Sequence, residues 1–167
     1  MATVFKGRVF SVEVAEIQFP DGKKRTMEIV RHPPSIVLLP MQADGRVVLV
    51  RQFRPTIERT IWELPAGSVN AGESAEAAAA RECEEEIGLV PARVDRLRGF
   101  YPAPGFCDEE LIYFRVSDLA PPPPDSTHRP DEDEDIHSEA FTVADARALL
   151  ARGEIIDLKT AYGLTLL

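Results

Sequence analysis

Gly67-Ser68-Val69-Asn70-Ala71-Gly72-Glu73, seven more residues, then Arg81-Glu82-Cys83-Glu84-Glu85-Glu86-Ile87-Gly88-Leu89: this stretch sets carboxylates at fixed spacing beside a glycine-bearing turn. Alanine dominates residues 75–80, and Gly88 stands where a left-handed C-terminal cap belongs, so the pattern predicts a helix over residues 74–87. On that helix Glu82, Glu85 and Glu86 fall at i, i+3 and i+4 and share one face. Ala79, Ala80, Cys83 and Ile87 form the neighbouring apolar stripe that packs inward. Like charges so placed destabilise an isolated helix by a few tenths of a kcal/mol (roughly) per pair. A divalent cation turns the same trio into a ligand set, because Mg²⁺ favours carboxylate oxygens and keeps several waters. On spacing alone, a solvated acidic face is the competing reading.

Outward from this helix, the chain of 167 residues, 44% of them hydrophobic, suffices for one ordinary globular domain with its own core. A formal net charge of −9 argues against nucleic acid or an anionic membrane surface as partner, since both call for a basic patch. Cys83, in the helix stripe, and Cys107, in a loop, read as unpaired thiols of a reducing compartment. The start Met1-Ala2-Thr3-Val4-Phe5-Lys6 lacks an apolar segment of signal-peptide length, and no run of about 18 apolar residues occurs, so a cytoplasmic protein is expected.

Strand patterns dominate the remainder. Residues 8–19 and 23–30 flank Pro20-Asp21-Gly22 as an N-terminal hairpin, and residues 1–34 form a segment distinct from a main domain over 35–167. Residues 35–39 and 46–53 are apolar, β-branched strands around Asp44-Gly45, and residues 61–64 form a short strand leading to Pro65-Ala66-Gly67. Further strands are expected at 93–100, 111–116 and 140–142, a helix at 143–152, and a last helical turn or two at 159–167. Residues 121–135 carry four consecutive prolines and later five consecutive acids, a composition that packs no core and predicts an exposed loop. Strands with one helix between them and another after them point to an α+β or sandwich architecture.

The stretch 67–89 matches, at every specified position, the pattern Gly, five residues, Glu, seven residues, Arg-Glu-apolar-any-Glu-Glu-any-Gly-apolar. It thus resembles the Nudix box of the Nudix hydrolases, and the resemblance implies the Nudix fold: a mixed β-sheet core between α-helices, here with an N-terminal β-hairpin. It implies Mg²⁺, with Mn²⁺ as a substitute, held by Glu82, Glu86, Glu85 and the backbone carbonyl of Ala66. Glu85 also counts among the catalytic groups, as does Arg81, which supports the carboxylates; Glu73 braces the loop, and Gly67 supplies backbone freedom to its turn.

Other stretches resemble the ADP-ribose pyrophosphatases within that family. Pro104 falls fifteen residues after Leu89, as their marker proline does. Val50-Arg51-Gln52-Phe53-Arg54-Pro55 is similar to their arginine-bearing strand end, and Trp62-Glu63-Leu64-Pro65-Ala66-Gly67 to the approach to the box. Gly105-Phe106-Cys107-Asp108-Glu109 is similar to the loop that contacts the terminal ribose. Substrate contacts are accordingly expected from Arg54, Arg51, Glu63, Pro104 and Glu109, arginine suiting a diphosphate through its planar fork. The resemblance places a catalytic base in the acidic run, Glu132 first and Glu134 second, with His128 and His137 flanking it. Phe10, Phe19 and Phe53 are candidates to stack on the base or are core residues. The expected reaction is metal-dependent hydrolysis of a small nucleoside diphosphate derivative, ADP-ribose giving AMP and ribose 5-phosphate, in a homodimer that exchanges the N-terminal hairpin. The alternatives are another nucleotide sugar such as GDP-mannose, or a non-catalytic module that binds ADP-ribose.

Overall fold

The structure, a computed structural model, describes residues 1–126, 128 and 136–167. An N-terminal antiparallel sheet has the order β1 (Ala2–Lys6), β2 (Ser11–Gln18), β3 (Lys24–Arg31). The expected hairpin is its β2–β3 arm, in full register from Ser11↔Arg31 to Gln18↔Lys24. Strand β1 was not expected: every one of its residues is exposed, so it carries no burial pattern to read. Two backbone bonds tie β3 to the loop before a core strand, Val30 N–H to Phe106 O at 2.7 Å and Asp108 N–H to Val30 O at 3.1 Å.

The core is built on β4 (Ser35–Pro40), β5 (Val47–Arg54) and β9 (Leu111–Ala120). In one sheet, β4 pairs in parallel with β9, with β7 (Ala66–Ser68) on the other side of β4 and β8 (Val90–Phe100) beyond β9. A second sheet sets β5 between β10 (His137–Phe141) and β6 (Arg59–Glu63). Successive side chains of a strand point to opposite faces, and both faces of β4 are buried. Ile36 and Leu38 join a cluster with Ala78, Ala79 and Cys83 of helix α1 (Ala75–Ile87). Val37 and Leu39 join a second cluster with Leu149 of α2 (Val143–Ala151) and with Leu164, just past α3 (Leu158–Gly163). The core is thus mixed sheet between helices, α+β as expected.

Several boundaries moved. Strands β8 and β9 extend to Val90 and Ala120 because they pair with each other along their length, through residues such as Pro91, Ala92, Ser117 and Asp118 that carry no apolar alternation. Strand β10 starts at His137 because it follows β5 from Arg51 to Val47. Residues 66–68, expected as loop, form a strand against Ser35, Ile36 and Val37. No helix among the described residues is long and apolar enough to cross a membrane.

Candidate active site

Helix α1 begins at Ser74, whose hydroxyl accepts from Ala77 N–H, and ends at Gly88 in the left-handed conformation with φ 69°. Its acidic face meets β7 through Arg81. The guanidinium Nη1 donates to Glu82 and to Glu85 at 2.6 Å each, Nε donates to Glu73 at 3.0 Å, and Nη2 donates to the Ser68 carbonyl at 3.0 Å. The hydrogen bond from Arg81 draws the Glu73 carboxyl below its usual range, and the bonds to Glu73 and Glu82 raise Arg81 further still. Glu86 is buried and accepts from the Ala66 N–H at 3.2 Å. Burial pushes the Cys83 thiol up to about 12, so it is an apolar filler of the core and not a nucleophile.

Gly67 leaves room for the side chain of Glu82 on the helix. A Cβ there would fall within the carboxylate of Glu82. Its φ is not positive, so the expected reason, unusual backbone angles, is replaced by close packing. Among the described residues no three His, Cys, Asp or Glu side chains converge as a formed metal site. The donor set nevertheless fits a hard divalent cation. Three carboxylates, Glu73, Glu82 and Glu85, share the one guanidinium of Arg81, a local negative surplus that such an ion offsets.

Beside β7 lies a cleft of about 370 Å³. It is lined by Ala66, Gly67 and Ser68 of the box loop, by Arg54, and by Ser35 and Glu109. The Ser35 hydroxyl donates to Glu109 at 2.7 Å, and His32 Nδ1 lies 3.7 Å from the same carboxylate. Arg54 is fixed by Glu63, Nε at 2.7 Å and Nη2 at 2.5 Å. Lys159 also donates to Glu63, and to Asp157 at 2.9 Å. Burial raises the Glu63 carboxyl, but the Arg54 hydrogen bond and the Lys159 charge outweigh it and leave the group below its usual range. Asp157 is lowered in the same way, burial being outweighed by Lys159 and Thr160.

Comparison with known proteins decides the family. The model of the NUDIX domain matches residues 31–160. The chain belongs to the Nudix family. It is 37% identical over 161 residues to an ADP-ribose pyrophosphatase of Bacillus subtilis, covering 96% of this chain and 86% of that protein. It is 32% identical to the methanol dehydrogenase activator of Bacillus methanolicus, covering 94% and 84%. An ADP-ribose pyrophosphatase of Mycobacterium tuberculosis is also 32% identical, with 93% of this chain and 74% of that protein covered. The crystal structure of an ADP compounds hydrolase superposes with a TM-score of 0.83 over 99% of this chain and 88% of that one; at 24% identity it shows the fold.

Within this Nudix hydrolase, the expected site residues divide. Arg54 and Glu109 line one cleft beside Ala66 and Gly67. Arg51 does not join them. Three positions apart on one strand, Arg51 and Arg54 point to opposite faces, and Arg51 lies with its guanidinium 6.0 Å from the Trp62 ring centre. Glu63, expected to touch substrate, is 2% exposed with both oxygens taken by Arg54 and Lys159, so it positions cations instead. Pro104 sits in an exposed turn, and Pro102 lines the cleft instead. Glu132 and Glu134 lie outside the described residues. The chain approaching them runs along α1, where the Ser126 hydroxyl bonds Glu84 and His128 Nδ1 lies 3.6 Å from Glu85. His137 begins β10, paired with Arg51. Phe53 and Phe10 are half-exposed, and Phe19 stacks under Arg25, 4.1 Å from its ring centre. Sequence reasoning missed His32, Ser35, Asp157 and Lys159; Asp157 capping a Lys-Thr pair was the one local signal, and it speaks of a helix start rather than of a site.

Proposed function

We propose that this chain hydrolyses the phosphoanhydride of a nucleoside diphosphate derivative, ADP-ribose being split by water into AMP and ribose 5-phosphate. The observation that carries this reading is the single cleft that joins the box loop at Ala66 and Gly67 to Arg54 and to the Ser35–Glu109 pair. The relatives named ADP-ribose pyrophosphatase support the choice of substrate.

In this reading Arg54 receives the diphosphate. Its Nε and Nη2 are held by Glu63, so the guanidinium is oriented before substrate arrives and costs little reorganisation. Glu109, oriented by Ser35, accepts hydrogen bonds from ribose hydroxyls. Glu82, Glu85 and Glu86, with the Ala66 carbonyl, would hold Mg²⁺, or Mn²⁺ in its place. When bound, the ion supplies positive charge to the phosphate oxygens and makes water more acidic. Arg81 keeps the acidic face assembled, and Gly67 leaves room for the Glu82 carboxylate. In the reaction one P–O bond forms to the water oxygen and the bridging P–O bond breaks; Glu132, or Glu134 two residues on, accepts the water proton. Ser126 and His128, against Glu84 and Glu85, bring the approach to that acidic run alongside α1. The unit in solution is a homodimer in which residues 1–34 pack on the partner, in keeping with the exposed apolar side chains of Val4, Phe5 and Val9.

The test is incubation of the purified protein with Mg²⁺, ¹⁸O-water and a panel of nucleoside diphosphate compounds including GDP-mannose. Products are weighed by mass spectrometry. ADP-ribose consumed fastest, with AMP and ribose 5-phosphate formed and one ¹⁸O incorporated, supports the reading; faster turnover of another compound reassigns the substrate. Binding of ADP-ribose without turnover points to the non-catalytic module.

A further inference from the structure

The cleft holds a cation besides Arg54. Lys159 stands in the first turn of α3, and its side chain is 14% exposed. Its ammonium group donates to Glu63 and to Asp157. Asp157 is itself fixed, because it caps α3 by accepting from Thr160 N–H at 3.0 Å and from the Thr160 hydroxyl at 2.6 Å. A lysine ammonium has three donors, and these two carboxylates take two of them. Lys159 also lines the cleft, which shares Pro102, Leu158 and Lys159 with an aromatic pocket bounded by Phe100, Tyr113 and Tyr162.

Lysine is a flexible, strongly hydrated point charge, and it loses more freedom than arginine when it binds an anion. Here that freedom is already removed. Glu63 holds Arg54 on one side and Lys159 on the other, so one buried carboxylate sets the relative position of two cations that face one cleft. Two cations and two carboxylates leave the group neutral when the cleft holds no anion. An entering diphosphate meets a donor from each cation without either having to be reordered.

We propose that Lys159 is a substrate-positioning residue, the second cation of the diphosphate site, held at a fixed distance from Arg54 by their shared Glu63. The proposal rests on the diphosphate reading given above. It assigns one phosphate to Lys159, which also lines the aromatic pocket, and the other to Arg54.

The experiment compares the full chain with Lys159→Met, Lys159→Gln and Lys159→Arg. Binding of inorganic pyrophosphate is measured by calorimetry without divalent metal, alongside steady-state hydrolysis of ADP-ribose with Mg²⁺ and a thermal melt. Loss of one charge-assisted hydrogen bond predicts about tenfold weaker pyrophosphate binding for Met and Gln. ADP-ribose hydrolysis should show KM raised about tenfold with kcat changed less than threefold, and Arg should restore most of both. Lys159→Gln keeps hydrogen-bonding groups between Glu63 and Asp157, and so decides the matter should Lys159→Met fail to fold. Unchanged pyrophosphate affinity and KM in a folded Gln variant overturn the proposal, as does a variant whose loss appears only in the melt. Weakened pyrophosphate binding in a protein that hydrolyses no nucleoside diphosphate would leave Lys159 assigned and overturn the substrate reading instead.

Discussion

Replacing Gly67 with alanine tests the link between β7 and the acidic helix face directly. The added methyl falls within the Glu82 carboxylate, so that side chain has to leave its position. Leaving breaks its 2.6 Å bond to Arg81, and a hydrogen bond between charged groups contributes about 1.5–3 kcal/mol. Backbone strain adds nothing, since Gly67 does not hold a positive φ. Partial solvent exposure of the pair, 16% and 12% for the two side chains, puts the cost at the lower end, about 1.5 kcal/mol. For a chain of this size that lowers the melting temperature by roughly 3–6 °C. The effect on turnover is larger if Glu82 is a ligand as proposed, because a ligating carboxylate displaced by about 1 Å costs on the order of 10²-fold. The decisive assay is a double-mutant cycle with Glu82→Ala. If the methyl acts by evicting Glu82, the double variant melts higher than the sum of the two single losses allows, by about 1 kcal/mol of coupling, while activity stays low. Additive melts, or a Gly67→Ala enzyme with ordinary turnover, would refute the close-approach argument.

Glu82→Gln and Glu86→Gln should each lower Mg²⁺-supported turnover by orders of magnitude; the metal-free melt should hold or rise for Glu86→Gln, which removes a charge from the acidic face, and fall for Glu82→Gln, which weakens the charged bond to Arg81; a Mg²⁺ titration with normal turnover in either variant speaks against that ligand. Arg54→Ala should weaken use of substrate more than Arg54→Lys, and both should leave Mg²⁺ affinity unchanged, as steady-state kinetics and metal titration will show. Stability should fall in acid through Glu63, whose carboxyl is held below its ordinary value of 4.5: its contribution is fully present above pH 4.5 and is lost as pH falls through the lowered folded value. The difference in unfolding free energy between wild type and Glu63→Gln should therefore be flat from neutrality to about pH 5 and shrink below it; a difference that grows toward acid contradicts the sign.

What could be read from the sequence was what local spacing determines. Helix α1 and its glycine stop follow from residues close together in the chain, and the structure has the helix over Ala75–Ile87 with Gly88 as its left-handed cap. The cation network lies beyond such reading, because Lys159 and Glu63 meet across 96 positions and nothing near Lys159 announces a carboxylate partner. Arg51 and Arg54 share one strand end, but the two-residue period of a strand sets positions three apart on opposite faces, so the two arginines have different surroundings. At Gly67 the backbone angles are ordinary and the close neighbour is the Glu82 carboxylate, a contact fixed only once α1 packs against β7 and so not readable from local spacing.

A chain with a net charge of −9 that handles an anionic substrate poses an electrostatic difficulty, and the arrangement of its acids answers it. Around the cleft each cation is held by carboxylates. Arg54 and Lys159 share Glu63, Lys159 also has Asp157, and Arg81 is bonded to Glu73, Glu82 and Glu85. Bulk charge decides how a ligand approaches from a distance, and that field is screened over about 8 Å at physiological ionic strength. Within the cleft the deciding quantity is whether donors already point where negative charge will sit. Carboxylates that fix cations in place raise the total negative charge of the chain while lowering the cost of orienting those cations. The acidity that argues against a nucleic-acid partner is, in the proposed reading, part of what prepares this site for a diphosphate.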